Sequence, residues 1–285
     1  LLGDVCDPKS VGFVFAECRP QIVFHAAAYK HVPMLEAQLR ETIKNNTVGT
    51  MVTADAAVKT GVQRFILIST DKAVNPTSMM GVSKRLAEMV AQLNNSNSKT
   101  AFITVRFGNV LGSAGSVVPL FERQIRAGGP VTVTDPRMTR YFMTISEACQ
   151  LILQACAIGK GGEIFVLNMG EPVNIDYLAR QMIRLSGKIP DEETEIRYTG
   201  LRAGEKLYEE LFHPDEDLTP TSYEKILLAK SRGINSPELM SQLNELRSCV
   251  EDYDHQRARE IAVGLVPEYR EDVAENGAQS PIQAA

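Results

Sequence analysis

The sequence predicts an α/β protein: an open parallel sheet with helices on both faces. Three observations predict it. Short apolar runs at residues 21–25, 64–69 and 101–106 have the make-up of buried strands. Helical stretches at 36–60 and 78–93 lie between them. A strand, helix, strand, helix, strand order demands right-handed crossovers and therefore a parallel sheet.

Each element follows from its residues. Gln21-Ile-Val-Phe-His25 is an apolar run of strand length. Over 36–60, Ile43, Thr47, Met51, Ala54 and Val58 recur at three and four, and Gly61 closes the helix as a C-cap. Arg64-Phe-Ile-Leu-Ile-Ser69 is the clearest buried strand, and Pro76 breaks the chain after it. The helix at 78–93 ends in the polar run 94–98. Strand 101–106 follows. Beyond it the pattern loosens: helices at 116–127, 145–158, 175–185, 237–250 and 257–266, with short strands at 131–134, 163–169, 195–198 and 225–229. The tail from Glu271 is rich in Ala, Gln and Glu and is expected to fray.

Composition narrows the function. Over 285 residues, 30 Lys and Arg face 35 Asp and Glu, a formal charge of −5, which argues against non-specific nucleic-acid binding. The most apolar window, 149–159, is about half the ~20 residues of a membrane span and contains Gln150 and Gln154. Five scattered cysteines form no CxxC pair, and no HExxH occurs, so neither a disulfide framework nor a metal site is expected. Cys149 and Cys156 read as core residues. Cysteine usage points to a reducing, cytoplasmic compartment. The chain starts Leu1-Leu2-Gly3-Asp4, without Met or a targeting segment, and is expected to be part of a longer one.

In an open parallel sheet, ligands bind beyond the carboxyl ends of the strands. The loops after His25, Ser69 and Arg106 should therefore face one cleft. Asp71 and Lys72 follow the strand ending at Ser69. An acid and an amine side by side can move protons in opposite directions on neighbouring substrate atoms, provided that burial or a nearby cation lowers the lysine pKa. From spacing alone, a solvated loop ion pair is the simpler explanation of these two residues.

Six ordered segments carry a resemblance. They are Ser69-Thr-Asp71-Lys72-Ala-Val-Asn-Pro-Thr77, His25-Ala-Ala-Ala-Tyr-Lys30-His-Val-Pro33, Asn45-Asn46-Thr-Val-Gly49-Thr50, Arg106-Phe-Gly-Asn109-Val-Leu-Gly-Ser113, Met138-Thr-Arg140-Tyr-Phe-Met-Thr144 and Gly200-Leu-Arg202-Ala-Gly-Glu205-Lys-Leu207. Over roughly residues 1–230 the chain resembles the nucleotide-sugar 4,6-dehydratases of the polysaccharide-biosynthesis (CapD-like) family, within the extended short-chain dehydrogenase/reductase superfamily.

The resemblance implies a Rossmann-type sheet lacking its first strands, with a smaller C-terminal α/β substrate domain. Residues 1–106 and 131–170 would form the NAD-binding domain, 107–130 and 171–270 the sugar-nucleotide domain, and 271–285 a flexible tail. It implies NAD as cofactor (NADP the alternative), a UDP-sugar as substrate and a homo-oligomer. In the Met-containing subgroup a membrane anchor elsewhere in the parent chain would place this part on the cytosolic face. Asp4 and Val5 would meet the adenine, and Ala26, Ala27, Lys30 and Asn46 the rest of the dinucleotide. Lys84 would hold the nicotinamide ribose as a fixed charge. Asn109, Arg140, Arg202 and Glu205 would grip the substrate diphosphate, where an arginine fork suits phosphate oxygens. The glycines from Gly108 to Gly115 would open the sugar-nucleotide site, and His25 and His31 would be structural.

Two departures stand out. Met80 occupies the place of the superfamily's tyrosine, four residues before Lys84, and marks the subgroup. Ala203 replaces the family's proline. The implied reaction is oxidation at C4, removal of the C5 proton by Lys72, protonation of the leaving C6 hydroxyl by Asp71, and return of hydride to C6. Thr70 would donate a hydrogen bond to the C4 oxygen. With Met80 in place, Asp71 or a water linked to Lys84 would be the base at the C4 hydroxyl. The competing readings are a nucleotide-sugar 4-epimerase and an inactive sugar-nucleotide binding module.

Overall fold

The computed structural model describes residues 1–229 and 236–271. In chain order the elements are α1 (Pro8–Cys18), β1 (Ile22–His25), α2 (Val32–Glu36), α3 (Leu39–Ile43), a π-helical turn (Lys44–Val48), α4 (Gly49–Thr60) and β2 (Arg64–Ile68). A 3-10 turn (Asp71–Ala73), α5 (Met79–Asn97), β3 (Ala101–Arg106), β4 (Asn109–Val110), α6 (Val117–Arg126), β5 (Val131–Val133), β6 (Thr139–Arg140) and β7 (Phe142–Met143) follow. The rest are α7 (Ile145–Ile158), β8 (Ile164–Leu167), β9 (Val173–Asn174), α8 (Ile175–Leu185), β10 (Ile196–Tyr198), β11 (Leu218–Pro220), β12 (Ile226–Ala229), α9 (Ser236–Glu251) and α10 (His255–Leu265).

The main sheet runs β1-β2-β3-β8-β12-β11. β1, β2, β3 and β8 are parallel, and β12 and β11 join antiparallel. Alternation along β2 explains the layering. Phe65 and Leu67 point into a core shared with α1, α4 and α5. Ile66 and Ile68 point to the other face, under α7, with Ile103, Val105 and Phe165. The predicted sheet with helices on both faces is therefore the fold. At one edge, β1 pairs with β2 alone among the described residues, and Ile22 (44% exposed) and Phe24 (43%) lie open to solvent.

The structure corrects several sequence expectations. The helix at 36–60 is broken: the chain turns at Ala37 and Gln38, then passes through the π turn before α4. α1 is an element the reading omits, although Asp7 caps it by accepting from Lys9 N (2.9 Å) and Pro8 opens its first turn. Cys156 is buried as expected, but Cys149 is exposed.

The expected grouping of segments also shifts. β5, expected with the large sheet, pairs in parallel with β10 and packs with α6 and α8 in a separate core of Phe121, Val131, Val133, Ile175, Ala179 and Ile183. β12, expected in the smaller unit, is hydrogen-bonded to β8. α9 and α10 place Leu239, Leu243, Leu246, Ile261 and Ala262 in the core around α4 and α5. Strand pairing and apolar burial, both long-range, decide these memberships. Of the expected tail, residues 272–285 lie outside the described residues.

Candidate active site

The loops after β1, β2 and β3 face one cleft of about 800 Å³, as the parallel sheet requires. The segment 199–209 closes its far side. Ser78 caps α5 by accepting from Gly81 N (3.1 Å), which sends Met80 and Lys84 along the cleft floor. Asn75 takes a left-handed conformation (φ 41°) and donates to Glu210 Oε1 (2.9 Å). Lys206 Nζ donates to Val74 O (2.9 Å) and Thr77 Oγ1 to Gly204 O (3.1 Å). The 71–78 loop is thus clamped by the chain segment 130 residues downstream.

Asp71 is fully buried, and it is not part of the cleft wall. Its Oδ1 accepts from Thr70 Oγ1 (2.8 Å) and Lys72 Nζ (3.0 Å). Its Oδ2 is buried without a hydrogen-bond partner, beneath Gly108, where an added Cβ would lie 3.3 Å from it. Thr70 gives its proton to Asp71 Oδ1 and accepts from Lys72 N (3.4 Å), which leaves one lone pair of its hydroxyl toward the cleft. Lys72, Thr70, Met80, Lys84 and Asn109 line the wall.

Lys72 Nζ also donates to Asn109 Oδ1 (3.4 Å) and pairs with Glu209 Oε1 (3.1 Å). Burial alone would lower the lysine pKa, but the Asp71 and Glu209 carboxylates outweigh it and raise it. The expectation of a lowered Lys72 pKa is overturned. Burial raises Asp71, against the pull of Lys72. Glu209 is lowered: burial opposes its charge, and Lys72 and Arg140 prevail. Lys84 donates to Ile68 O (2.7 Å), and burial brings its pKa down to about 8. His25 is structural as read: buried, 3.0 Å from Thr50 Oγ1, and held neutral with a pKa of about 3 by desolvation and by Lys84.

The remaining predicted residues divide. Ala26, Lys30, Asn109, Arg140, Arg202 and Glu205 line the cleft; Asp4, Val5, Ala27 and Asn46 do not. Asn46 is buried in the π turn and braces the β1 loop from below, accepting from Tyr29 N (2.7 Å) and donating to Tyr29 O (3.0 Å). Asp4 caps its own turn through Cys6 N (2.8 Å). Arg140 donates to Thr139 O, Leu207 O and Lys206 O (2.7, 3.1 and 2.7 Å), which ties it to the segment around 206–207. Arg202 is exposed and paired with Glu205 at 3.0 Å. His31 packs against Gly115 in the wall.

Glu209 is the residue that sequence reading misses. Its one sequence signal is the acidic run Glu205, Glu209 and Glu210 after Arg202, which says nothing of a partner at position 72. A second omission lies beneath the floor. Glu88 holds Arg106 through Oε2 (2.6 Å) and Oε1 (2.7 Å) and accepts from Ser69 Oγ (2.7 Å). Arg106 reaches on to Glu216 (2.7 Å). Burial works against the Glu88 charge, yet Arg106 pulls its pKa down to about 2.

With this geometry in view, the comparisons decide the family. A family model described as "Polysaccharide biosynthesis protein" matches residues 1–231. The chain belongs to this family. Capsular polysaccharide biosynthesis protein CapD of Staphylococcus aureus is 55% identical over 231 residues, which are 81% of this chain and 38% of CapD. The chain thus spans about two fifths of that relative. The X-ray structure of Pen from Bacillus thuringiensis is 32% identical, with a TM-score of 0.73 over 86% of this chain and 81% of Pen. DesIV from Streptomyces venezuelae, a dTDP-glucose 4,6-dehydratase solved with NAD, is 20% identical and shares the fold at a TM-score of 0.63, over 74% of this chain and 68% of DesIV. Like them, this polysaccharide-biosynthesis chain has the Rossmann-type fold of the short-chain dehydrogenase superfamily. Among the described residues, no helix is long and apolar enough to cross a membrane.

Proposed function

We propose that the chain carries out NAD-dependent 4,6-dehydration of a UDP-N-acetylhexosamine, with UDP-N-acetylglucosamine the first substrate to try. The product is a 4-keto-6-deoxy sugar nucleotide for bacterial polysaccharide or glycan synthesis. One observation carries the reading: an acid and an amine, Asp71 Oδ1 and Lys72 Nζ, lie 3.0 Å apart at the carboxyl end of β2, against the cleft. A C5/C6 elimination needs proton transfers at two adjacent carbons, which a 4-epimerisation does not. The free cysteines accord with a reducing, cytoplasmic setting.

The wall from Ala26 to His31 suits a flat anionic dinucleotide. Ala26 and Ala28 present nothing beyond Cβ, and Lys30 and Lys84 bring positive charge to the same cleft. DesIV, which shares the fold, was solved with NAD bound. Bound here, NAD supplies the hydride acceptor for sugar C4 and the same hydride for C6.

The protein's own groups handle the protons. Thr70 Oγ1 accepts the C4 hydroxyl proton and passes its own to Asp71 Oδ1, 2.8 Å away. Asp71, a carboxylate whose affinity for a proton is raised by burial, stores that proton. It returns through Thr70 to the departing C6 hydroxyl, so the water formed needs no external proton. This route gives the Met80 site a base without a phenol. Lys72 exchanges the C5 proton, and Asn109, beside Lys72, and Arg202, exposed in the cleft lining, are polar groups placed to meet the substrate.

The test is to incubate the full-length protein with UDP-N-acetylglucosamine and follow the sugar by NMR. A C6 methyl doublet beside a hydrated C4 ketone is expected. An intact C6 with inverted C4 would replace this reading with an epimerase.

A further inference from the structure

We propose that Glu209 is the proton acceptor that frees Lys72 to act as the base at sugar C5; this rests on the dehydratase reading above. An ammonium cannot take a proton. Lys72 lies between two carboxylates that keep it charged, so it must first pass a proton to a neighbour. Asp71 is the poorer acceptor, because its Oδ1 is engaged by Thr70 and its Oδ2 lies under Gly108, off the cleft. Glu209 Oε1 is 3.1 Å from Lys72 Nζ. Its Oε2 is buried with no hydrogen-bond partner, although the residue lines the cleft.

The other groups facing this pair are fixed. Arg140 Nε stands 3.6 Å from Glu209 Oε1, and its NH2 is 3.9 Å from Glu205. Lys206 adds positive charge near Glu209 and is itself held by Glu210 (2.9 Å) and Val74 O. Asn109 completes the ring around Lys72. At the 4-keto stage Asp71 already holds the proton from the C4 hydroxyl, whereas Lys72 and Arg140 keep Glu209 ionised, so Glu209 is the acid with room for another.

The step balances. One Lys72 N–H bond breaks and a Glu209 O–H bond forms, leaving an amine and a carboxylic acid. At the 4-keto stage the C5–H bond breaks; the proton goes to the Lys72 amine and its electron pair to the C4 oxygen as an enolate. The enolate pair then forms the C5–C6 double bond as hydroxide leaves C6 and takes the proton stored on Asp71. When C6 has received its hydride, the Lys72 ammonium returns a proton to C5, and Glu209 returns its own to Lys72. Glu209 acts through Lys72 and is a positioning residue in this sense.

The test uses the full-length protein with NAD, UDP-N-acetylglucosamine and D2O, following C5 deuterium uptake and product between pH 6 and 10. Wild type should be flat through neutrality. Glu209→Gln should fall on the order of 10²–10³-fold at pH 7 and recover roughly tenfold per pH unit, because the Lys72 proton must then leave to solvent. Glu209→Asp, which keeps a carboxylate, should restore the flat profile and guards against a folding defect in the glutamine variant. Without cofactor or substrate, lysine side-chain NMR should show the Lys72 pKa lowered in Glu209→Gln. A wild-type rate and flat profile in Glu209→Gln, a loss equal at every pH, or an unmoved Lys72 pKa would each overturn the proposal. A wild type that forms no keto-deoxy sugar would defeat the dehydratase reading, and this inference with it.

Discussion

Lys72→Ala takes away the ammonium shared by Asp71 and Glu209. Product formation should drop by about 10²–10⁴-fold, the usual size of a lost proton-transfer group, with the NMR assay as the check. His25 carries a different expectation. Its pKa falls from 6.5 to about 3 on folding, so the folded state rejects a proton that the unfolded chain accepts. That stability is fully present above pH 6.5 and is lost as pH falls toward 3. Between pH 7 and pH 5 the loss should be about 2 kcal/mol, and His25→Gln should flatten this part of a urea-unfolding series. Asp71 and Lys72 were legible in the sequence because they are adjacent and follow an unmistakable strand. Glu209 was not, because nothing local links position 209 to position 72. The charge state of Lys72 was misread for the same reason: burial was foreseeable, and the second carboxylate was not.

Among elements, α5 does most to shape the site, and Gly81 is its tightest point. A Cβ at Gly81 would come within 2.3 Å of Lys72 O and 2.8 Å of Pro76 Cβ, a backbone collision that no rotamer relieves. Gly81→Ala should displace the 71–76 loop, cost about 1–3 kcal/mol in unfolding and abolish turnover together with substrate binding. Beneath α5, Arg106 joins β3 to Glu88 and to Glu216 in a buried network. Arg106→Met would strip buried Glu216 of its ion pair with Arg106 and leave Glu88 to Arg85 and Ser69, and should cost about 3–5 kcal/mol, read from denaturant melts. The strands of the sheet were legible from apolar runs alone. The break in the 36–60 helix was not, because its inward-facing pattern passes through the π turn without a helix-breaking residue. α1 carried a signal, Asp7-Pro8, that its weak apolar periodicity obscured.

At the scale of the whole molecule, the two packed cores interleave along the chain. Residues 131–133 belong with 196–198, whereas 226–229 return to the large sheet. Sequence order therefore misplaces both segments, since membership follows hydrogen-bonded pairing rather than contiguity. The same interleaving closes the cleft, because the stretch that reaches Lys72 lies between β10 and β11. The sheet ends differently on its two sides. At β11 the last strand is antiparallel and carries Pro220, which has no N–H to offer a neighbour. At β1 the backbone groups that face away from β2 have no strand partner among the described residues, and Ile22 and Phe24 flank them. Such a rim is a template for strand addition. A further strand, from this chain or from another, would find hydrogen-bonding groups waiting along that rim, one strand away from the β2 end that carries Asp71 and Lys72.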